Sequence, residues 1–244
     1  MPALSSAFPE TRALFEERSC VFLLADLAAI PQEEALAALL PEERAISDSM
    51  AIARRHEFAV GRMLAHAALA RLSARDAPIL RGERGEPLWP EGIVGSIAHT
   101  KQKAAALLAA RRPDISPPGI DLEHIARGLS DPAWEHILSP SEEQFFSRSA
   151  AQALRMIVFS CKESLYKALY PVCGEYFGFH DAGVSQESAA LLQARFSDAA
   201  QGAQQSGWLT LTLHRALCAF PSGSAFSCHY EIDDEDVLTV LMPK

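Results

Sequence analysis

Residues 111–118, Arg-Arg-Pro-Asp-Ile-Ser-Pro-Pro, carry three prolines, a density that no helix or sheet interior accepts. This stretch divides the 244-residue chain into two halves with the same kind of pattern. In the first, residues 49–75 place Phe58, Met63, Leu64, Ala67, Ala68 and Leu72 at helical spacing with arginines between them. Residues 93–99 and 103–110 then read as two short strands around a turn at Thr100–Gln102. In the second half, residues 151–170 predict another long helix. Leu209, Leu211 and Leu213 alternate with Thr210, Thr212 and His214, the period of a half-buried strand. Further strands are expected at 225–232 and 237–242, making an antiparallel meander. The expected fold class is α+β, with two similar pseudo-symmetric lobes, each a long helix packed on a small, mainly antiparallel sheet. The N-terminal lobe is expected over 1–115 and the C-terminal lobe over 116–244.

Shorter elements fill in between. Residues 31–45 read as one short helix opened by Pro31, and the Gly/Pro-rich stretch 79–92 as loop. Residues 119–123 read as a short strand, and 139–149, opened by Ser139-Pro140, as a helix.

Composition narrows the function classes. Apolar residues are 49% of the chain and charged residues 22%, the balance of a globular protein with a substantial core. A net charge of −9 opposes non-specific binding to nucleic acid, while leaving room for a small basic pocket. Cys20, Cys161, Cys173, Cys218 and Cys228 include no C-x-x-C pair and read as free thiols of a reducing compartment. There is no secretory pattern at the N-terminus and no apolar run of the ~20 residues that span a bilayer. A cytoplasmic protein without a membrane span is expected, and a monomer is the simplest state for two fused lobes.

Three segments carry candidate chemistry. In Gly119-Ile120-Asp121-Leu122-Glu123, strand alternation puts Asp121 and Glu123 on one face and Ile120 and Leu122 on the other. Two adjacent carboxylates are either solvated acids on an exposed face or a pair sharing a hard cation such as Mg2+. In Phe159-Ser160-Cys161-Lys162-Glu163-Ser164-Leu165-Tyr166-Lys167, Glu163 and Lys167 share a helix face, as a surface ion pair or as part of a site. Ser160, Cys161 and Tyr166 read as packing or capping residues. In Gly95-Ser96-Ile97-Ala98-His99-Thr100, His99 at a strand end is either a satisfied structural histidine or a donor to a phosphate.

The order of these segments resembles the Sfp-type 4′-phosphopantetheinyl transferases, and within them the branch of the enterobactin-synthase component D proteins. That branch also has an arginine-rich helix like RRHEFAVGR at 54–62 and a loop like GEPLWPEG at 85–92. The likeness is dense from Arg54 to Tyr170 and thin at both ends. It implies an enzyme moving the phosphopantetheine arm of coenzyme A to a serine of an apo acyl or peptidyl carrier protein, with Mg2+ as cofactor and 3′,5′-ADP released. It implies Asp121, Glu123 and Glu163 as metal ligands, and Glu163 as the proposed base. It further implies His99, Lys162 and Lys167 at the phosphates and pantetheine, and Arg54, Arg62 and Arg81 at the nucleotide end. Ala98 and Phe159 depart from the serine and tryptophan of many relatives. The competing readings are another Mg2+-dependent diphosphate hydrolase and a non-catalytic module binding coenzyme A or a carrier.

Overall fold

The computed structural model describes residues 4–16, 20–112, 117–146, 150–197 and 205–241. The helices are α1 (Pro9–Glu16), α2 (Gln32–Ala37), α3 (Pro41–Asp48), α4 (Ile52–Arg71), α5 (Asp131–Ile137), α6 (Gln152–Cys173) and α7 (Gln186–Ser197). The strands are β1 (Cys20–Asp26), β2 (Leu80–Arg81), β3 (Pro87–Leu88), β4 (Ile93–His99), β5 (Lys103–Ala110), β6 (Gly119–His124), β7 (Ala182–Val184), β8 (Gln205–Leu213), β9 (Ala225–Asp233) and β10 (Asp236–Leu241).

The fold is α+β, and both halves share one connectivity. A first strand leads to a long helix and then to antiparallel strands, the last of which returns beside the first. The order is β1-β5-β4 in one sheet and β6-β10-β9-β8-β7 in the other. Helix α4 packs its Val60, Leu64, Ala68 and Leu69 on the first sheet, and α6 packs Ile157, Cys161, Leu165 and Leu169 on the second. A third apolar cluster joins the two, with Leu24, Leu107, Ile120, Leu122 and Val240 covered by Phe8 and Phe15 around α1. Carboxylates of β9 seat that helix: Glu231 accepts the N–H groups of Glu10 (3.2 Å) and Thr11 (2.7 Å), and Asp233 accepts that of Phe8 (3.1 Å). Anions at a helix N-terminus satisfy donors that the helix itself leaves unpaired.

Several expected elements differ. The single helix over 31–45 is two, because Pro41 forces Leu40 into extended backbone (ψ 157°) and starts α3 afresh. The loop 79–92 contains the small β2–β3 hairpin. Helix α6 runs past Pro171 to Cys173, its end closed by Gly174 N–H to Tyr170 C=O at 2.8 Å. Residues 140–145 are turns, not the start of a helix. There, the Glu142 carboxylate bonds Ser139 N–H (2.8 Å) but is also drawn to Lys162 Nζ (2.6 Å) and Val184 N–H (2.7 Å), which bends the segment into the core. The helix nearby is α5, capped by Ser130. The end of that expected helix, the boundary at 115/116 and residue 242 lie outside the described residues.

Glu43, fully buried at the third position of α3, ties three segments together. Its carboxylate accepts from Leu40 N–H (3.1 Å), Ile79 N–H (2.8 Å) and His66 Nε2 (2.8 Å), and His66 Nδ1 lies 2.6 Å from Asp76 Oδ1. Burial lowers the His66 pKa, but Glu43 and Asp76 outweigh it, so the net value lies above the usual 6.5. Burial raises the Glu43 pKa, but bonds from His66, Ile79 and Leu40 outweigh it, and the net value lies below the usual 4.5. The histidine's contribution is therefore complete below pH 6.5 and lost as pH rises through its raised value. The glutamate's is complete above pH 4.5 and lost as pH falls through its lowered value. His66→Ala is expected to destabilise by about 1.5–3 kcal/mol near pH 6, the range for a hydrogen bond to a charged group, and by less near pH 9. Urea unfolding at both pH values measures the difference, and an equal loss at both contradicts it.

Candidate active site

Strand β6 pairs with β10 on one side, Asp121 opposite Thr239 and Glu123 opposite Val237. Alternation turns Ile120 and Leu122 into the apolar cluster between the sheets. Asp121 and Glu123 are only 5% and 9% exposed, so they are not solvated acids on an open strand face. Asp121 Oδ2 accepts from Ser160 Oγ at 2.8 Å, and Oδ1 accepts from Lys167 Nζ at 2.6 Å. Ser160 is also 2.9 Å from Thr239 Oγ1. Glu123 is held by Arg127 Nη1, at 2.9 Å and 2.7 Å from its two oxygens.

Helix α6 supplies the opposing groups. Burial raises the Glu163 pKa, and Asp121 and Glu123 raise it further, against Lys167 and Arg127. Burial, then Asp121, also raises Glu123. Burial pulls the Lys167 pKa down, but Asp121, Glu163 and Glu123 overcome it and the net value is raised. Lys167 thus pairs with Asp121 across the elements, rather than forming an ion pair along its own helix. The three carboxylates from two separate stretches share one electrostatic neighbourhood, with Lys167 and Arg127 as its internal cations. Among the described residues no three His, Cys, Asp or Glu side chains form a ready-made metal cage. The donor set is nonetheless chemically suited to Mg2+: three hard oxygen ligands whose mutual repulsion a cation relieves.

The second cluster is a cleft of about 530 Å³ on the first lobe, which brings together Arg54, Arg62, Arg81 and His99. Arg62 lies beneath it, 5% exposed, stacked 4.6 Å from the Phe58 ring centroid. Its Nε donates to Ile79 C=O at 2.9 Å and its Nη2 to Leu80 C=O at 3.5 Å. Burial lowers its pKa to about 10, with Glu43 opposing that shift and Arg81 adding to it, so it stays charged at neutral pH. Arg81 lies against Gly85, whose φ of +92° and missing Cβ leave room for the guanidinium. His99 stands where cleft and carboxylates meet. Burial first, then Arg54 and Lys167, lower its pKa to about 4, with Asp121 opposing. The ring is therefore neutral near pH 7, with Nδ1 at 3.2 Å from Glu57 Oε2.

Lys162 faces elsewhere. Its buried ammonium gives its three protons to Ile137 C=O (2.8 Å), Glu142 (2.6 Å) and Phe179 C=O (2.9 Å), so it ties α6 to the loops around α5 and β7. No donor is left for a phosphate. Beside Glu163 an apolar cavity of about 230 Å³ is lined by Leu165, Tyr166, Tyr176, Phe177 and Phe179. Ser160, Glu57 and Arg127 are contributors that the motifs did not mark. Glu57 was open to detection, three positions after Arg54 on the same helix face. Arg127 was not, because the turn after β6 brings it back on Glu123.

The fold and site define a class that sequence comparison names. Residues 41–109 match the 4′-phosphopantetheinyl transferase N-terminal domain, and residues 117–220 match the 4′-phosphopantetheinyl transferase superfamily. The chain belongs to the 4′-phosphopantetheinyl transferase superfamily. It is 36% identical over 154 residues to the 4′-phosphopantetheinyl transferase PptT of Mycobacterium tuberculosis, covering 61% of this chain and 66% of that protein. It is 34% identical over 163 residues to the 4′-phosphopantetheinyl transferase Npt of Nocardia iowensis, covering 66% and 68%. It is 34% identical over 122 residues to enterobactin synthase component D of Escherichia coli, covering 47% and 54%. The matched stretches thus span about two thirds of the length of the first two relatives and about half of the third. No described helix is long and apolar enough to cross a membrane.

Proposed function

We propose that this protein transfers the phosphopantetheine arm of coenzyme A to a serine of an apo acyl or peptidyl carrier protein. The observation that carries the reading is the junction at His99, where an arginine-lined cleft meets three carboxylates and Lys167. Arg54, Arg62 and Arg81 suit the 3′-phosphate of the nucleotide, since guanidinium groups match phosphate geometry. Lys167 supplies positive charge at the diphosphate. The neutral His99 can give Nδ1–H to Glu57, which leaves Nε2 an acceptor, so it donates to a phosphate oxygen only after an anion draws a second proton onto the ring. The apolar cavity beside Glu163 suits the uncharged pantetheine arm.

Asp121, Glu123 and Glu163 would hold Mg2+, which when bound supplies charge neutralisation at the diphosphate oxygens. In the reaction the carrier serine oxygen bonds to the pantetheine-side phosphorus, the diphosphate P–O bond breaks, and 3′,5′-ADP leaves with that electron pair. The serine proton goes to Glu163, directly or through water. A carboxylate that holds a cation is a weaker base than a free one, which favours the route through water.

Mass spectrometry of apo carrier domains incubated with the protein, coenzyme A and Mg2+ tests the reading. The expected result is a mass gain of one phosphopantetheinyl group on the carrier serine. Coenzyme A cleavage at the same rate without any carrier would identify a hydrolase. Binding of coenzyme A with no transfer to any carrier would identify a binding module.

A further inference from the structure

The Glu43–His66–Asp76 cluster lies outside the site, yet it ends on the same residue as the nucleotide-side arginine. Ile79 donates its N–H to Glu43 Oε1 at 2.8 Å, and its C=O accepts from Arg62 Nε at 2.9 Å. The next carbonyl, Leu80, takes Arg62 Nη2, and the next side chain, Arg81, lines the cleft. Among the described residues Arg62 Nη1 has no hydrogen-bond partner, and Arg62 itself lines the cleft. One buried carboxylate therefore fixes the short backbone stretch on which two of the three cleft arginines depend.

We propose that Glu43, backed by His66 and Asp76, is a positioning residue for recognition of the 3′-phosphate of coenzyme A, acting through Ile79 on Arg62 and Arg81. The inference rests on the reading of the cleft as the nucleotide side of the site. Glu43 touches no substrate. It holds the 79–81 backbone where Arg62 is oriented by its carbonyls, so the guanidinium meets the ligand already aligned, without the ordering cost of a free side chain. A purely electrostatic role would have the opposite sign. Removing a carboxylate near Arg62 makes the cleft more positive, and an anion would then bind more tightly.

The test compares Glu43→Gln with wild type, titrating coenzyme A and 3′-dephospho-coenzyme A calorimetrically into the intact protein, with a cooperative unfolding transition required of each variant. Glutamine keeps the volume, but it cannot accept from Leu40 N–H, Ile79 N–H and His66 at once. The expected result is about tenfold weaker binding of coenzyme A, the scale of one misaligned hydrogen bond to a charged group, with dephospho-coenzyme A changed less than about twofold. In turnover, KM for coenzyme A rises and kcat stays, because Glu163 and Lys167 are untouched. Arg62→Ala sets the scale, as the loss of that arginine's whole share of the 3′-phosphate preference. A folded Glu43→Gln protein that keeps the wild-type preference, or binds coenzyme A more tightly, overturns the inference alone. A wild type with no preference for the 3′-phosphate removes the reading of the cleft, and the inference with it. Should Glu43→Gln fail to fold, His66→Gln decides by the same comparison: a loss confined to coenzyme A supports the inference, and an equal loss or none for the two ligands overturns it.

Discussion

Glu163→Gln is expected to lower the rate of transfer to a carrier by about 10²–10⁴-fold, the range for removing a positioned general base, while the protein stays folded. The two effects separate because of where Glu163 stands. Burial and the charges of Asp121 and Glu123 disfavour its ionised form, so neutral glutamine relieves repulsion within the fold. The cation on Asp121 is Lys167, at 2.6 Å, and that pair survives the substitution. The thermal midpoint in the absence of metal is therefore expected to hold or rise. Saturating Mg2+ is expected to raise the midpoint of the wild type, as any ligand of the folded state does, and to raise that of Glu163→Gln less. Transfer assays and thermal unfolding with and without Mg2+ check both arms. A variant that transfers at the wild-type rate shows that Glu163 is not the base, and one that gains as much from Mg2+ as the wild type shows that it is not a ligand.

The parts of this molecule that were legible in the sequence are those whose pattern is local. The helix expected over 49–75 shows its apolar period and runs Ile52–Arg71, the strands expected at 93–99 and 103–110 are marked off by the polar turn at Thr100–Gln102, and GIDLE shows its two faces. Strand β1 was not legible, because Phe22–Ala25 is buried as an unbroken apolar run and shows no period. Helix α1 was not legible either, since β9 carboxylates more than 200 positions away supply its N-terminal hydrogen bonds. Ser139-Pro140-Ser141-Glu142 reads as a helix start, yet Glu142 serves Lys162 and Val184 instead. A long-range buried ion pair overrode local propensity there and also withdrew Lys162 from the phosphate side. The family resemblance implied Arg54, Arg62 and Arg81 at the nucleotide end and His99 at the phosphates, and the fold brings the four to one cleft. The resemblance could not show that Arg62 rests on the carbonyls of Ile79 and Leu80, because that contact is made by tertiary packing.

Gly119→Ala is expected to cost about as much activity as losing a ligand, although it adds one methyl group and removes no charge. A Cβ at Gly119 would lie 2.0 Å from Ser164 C=O and 2.9 Å from the N and Cβ of Ala168. Two of those atoms are α6 backbone, so no side-chain rotation makes room and the helix must move off β6. Strand β6 carries Asp121 and Glu123, and α6 carries Ser160, Glu163 and Lys167, so the shift separates the two halves of the site. Overpacking of this kind destabilises by about 1–3 kcal/mol, and displacement of catalytic groups by about 1 Å costs on the order of 10²-fold in rate. Gly61 is the control, being a buried glycine on α4 where the other lobe's helix meets its sheet. Its added Cβ meets only the Ile97 Cγ2 methyl at 3.0 Å, which can yield by a few tenths of an ångström. Alanine there also gains roughly 1 kcal/mol of helix propensity. Gly61→Ala is therefore expected to stay near wild type in unfolding midpoint and transfer rate. Equal rates for the two variants would mean that close contact of β6 with α6 does not set the carboxylate geometry.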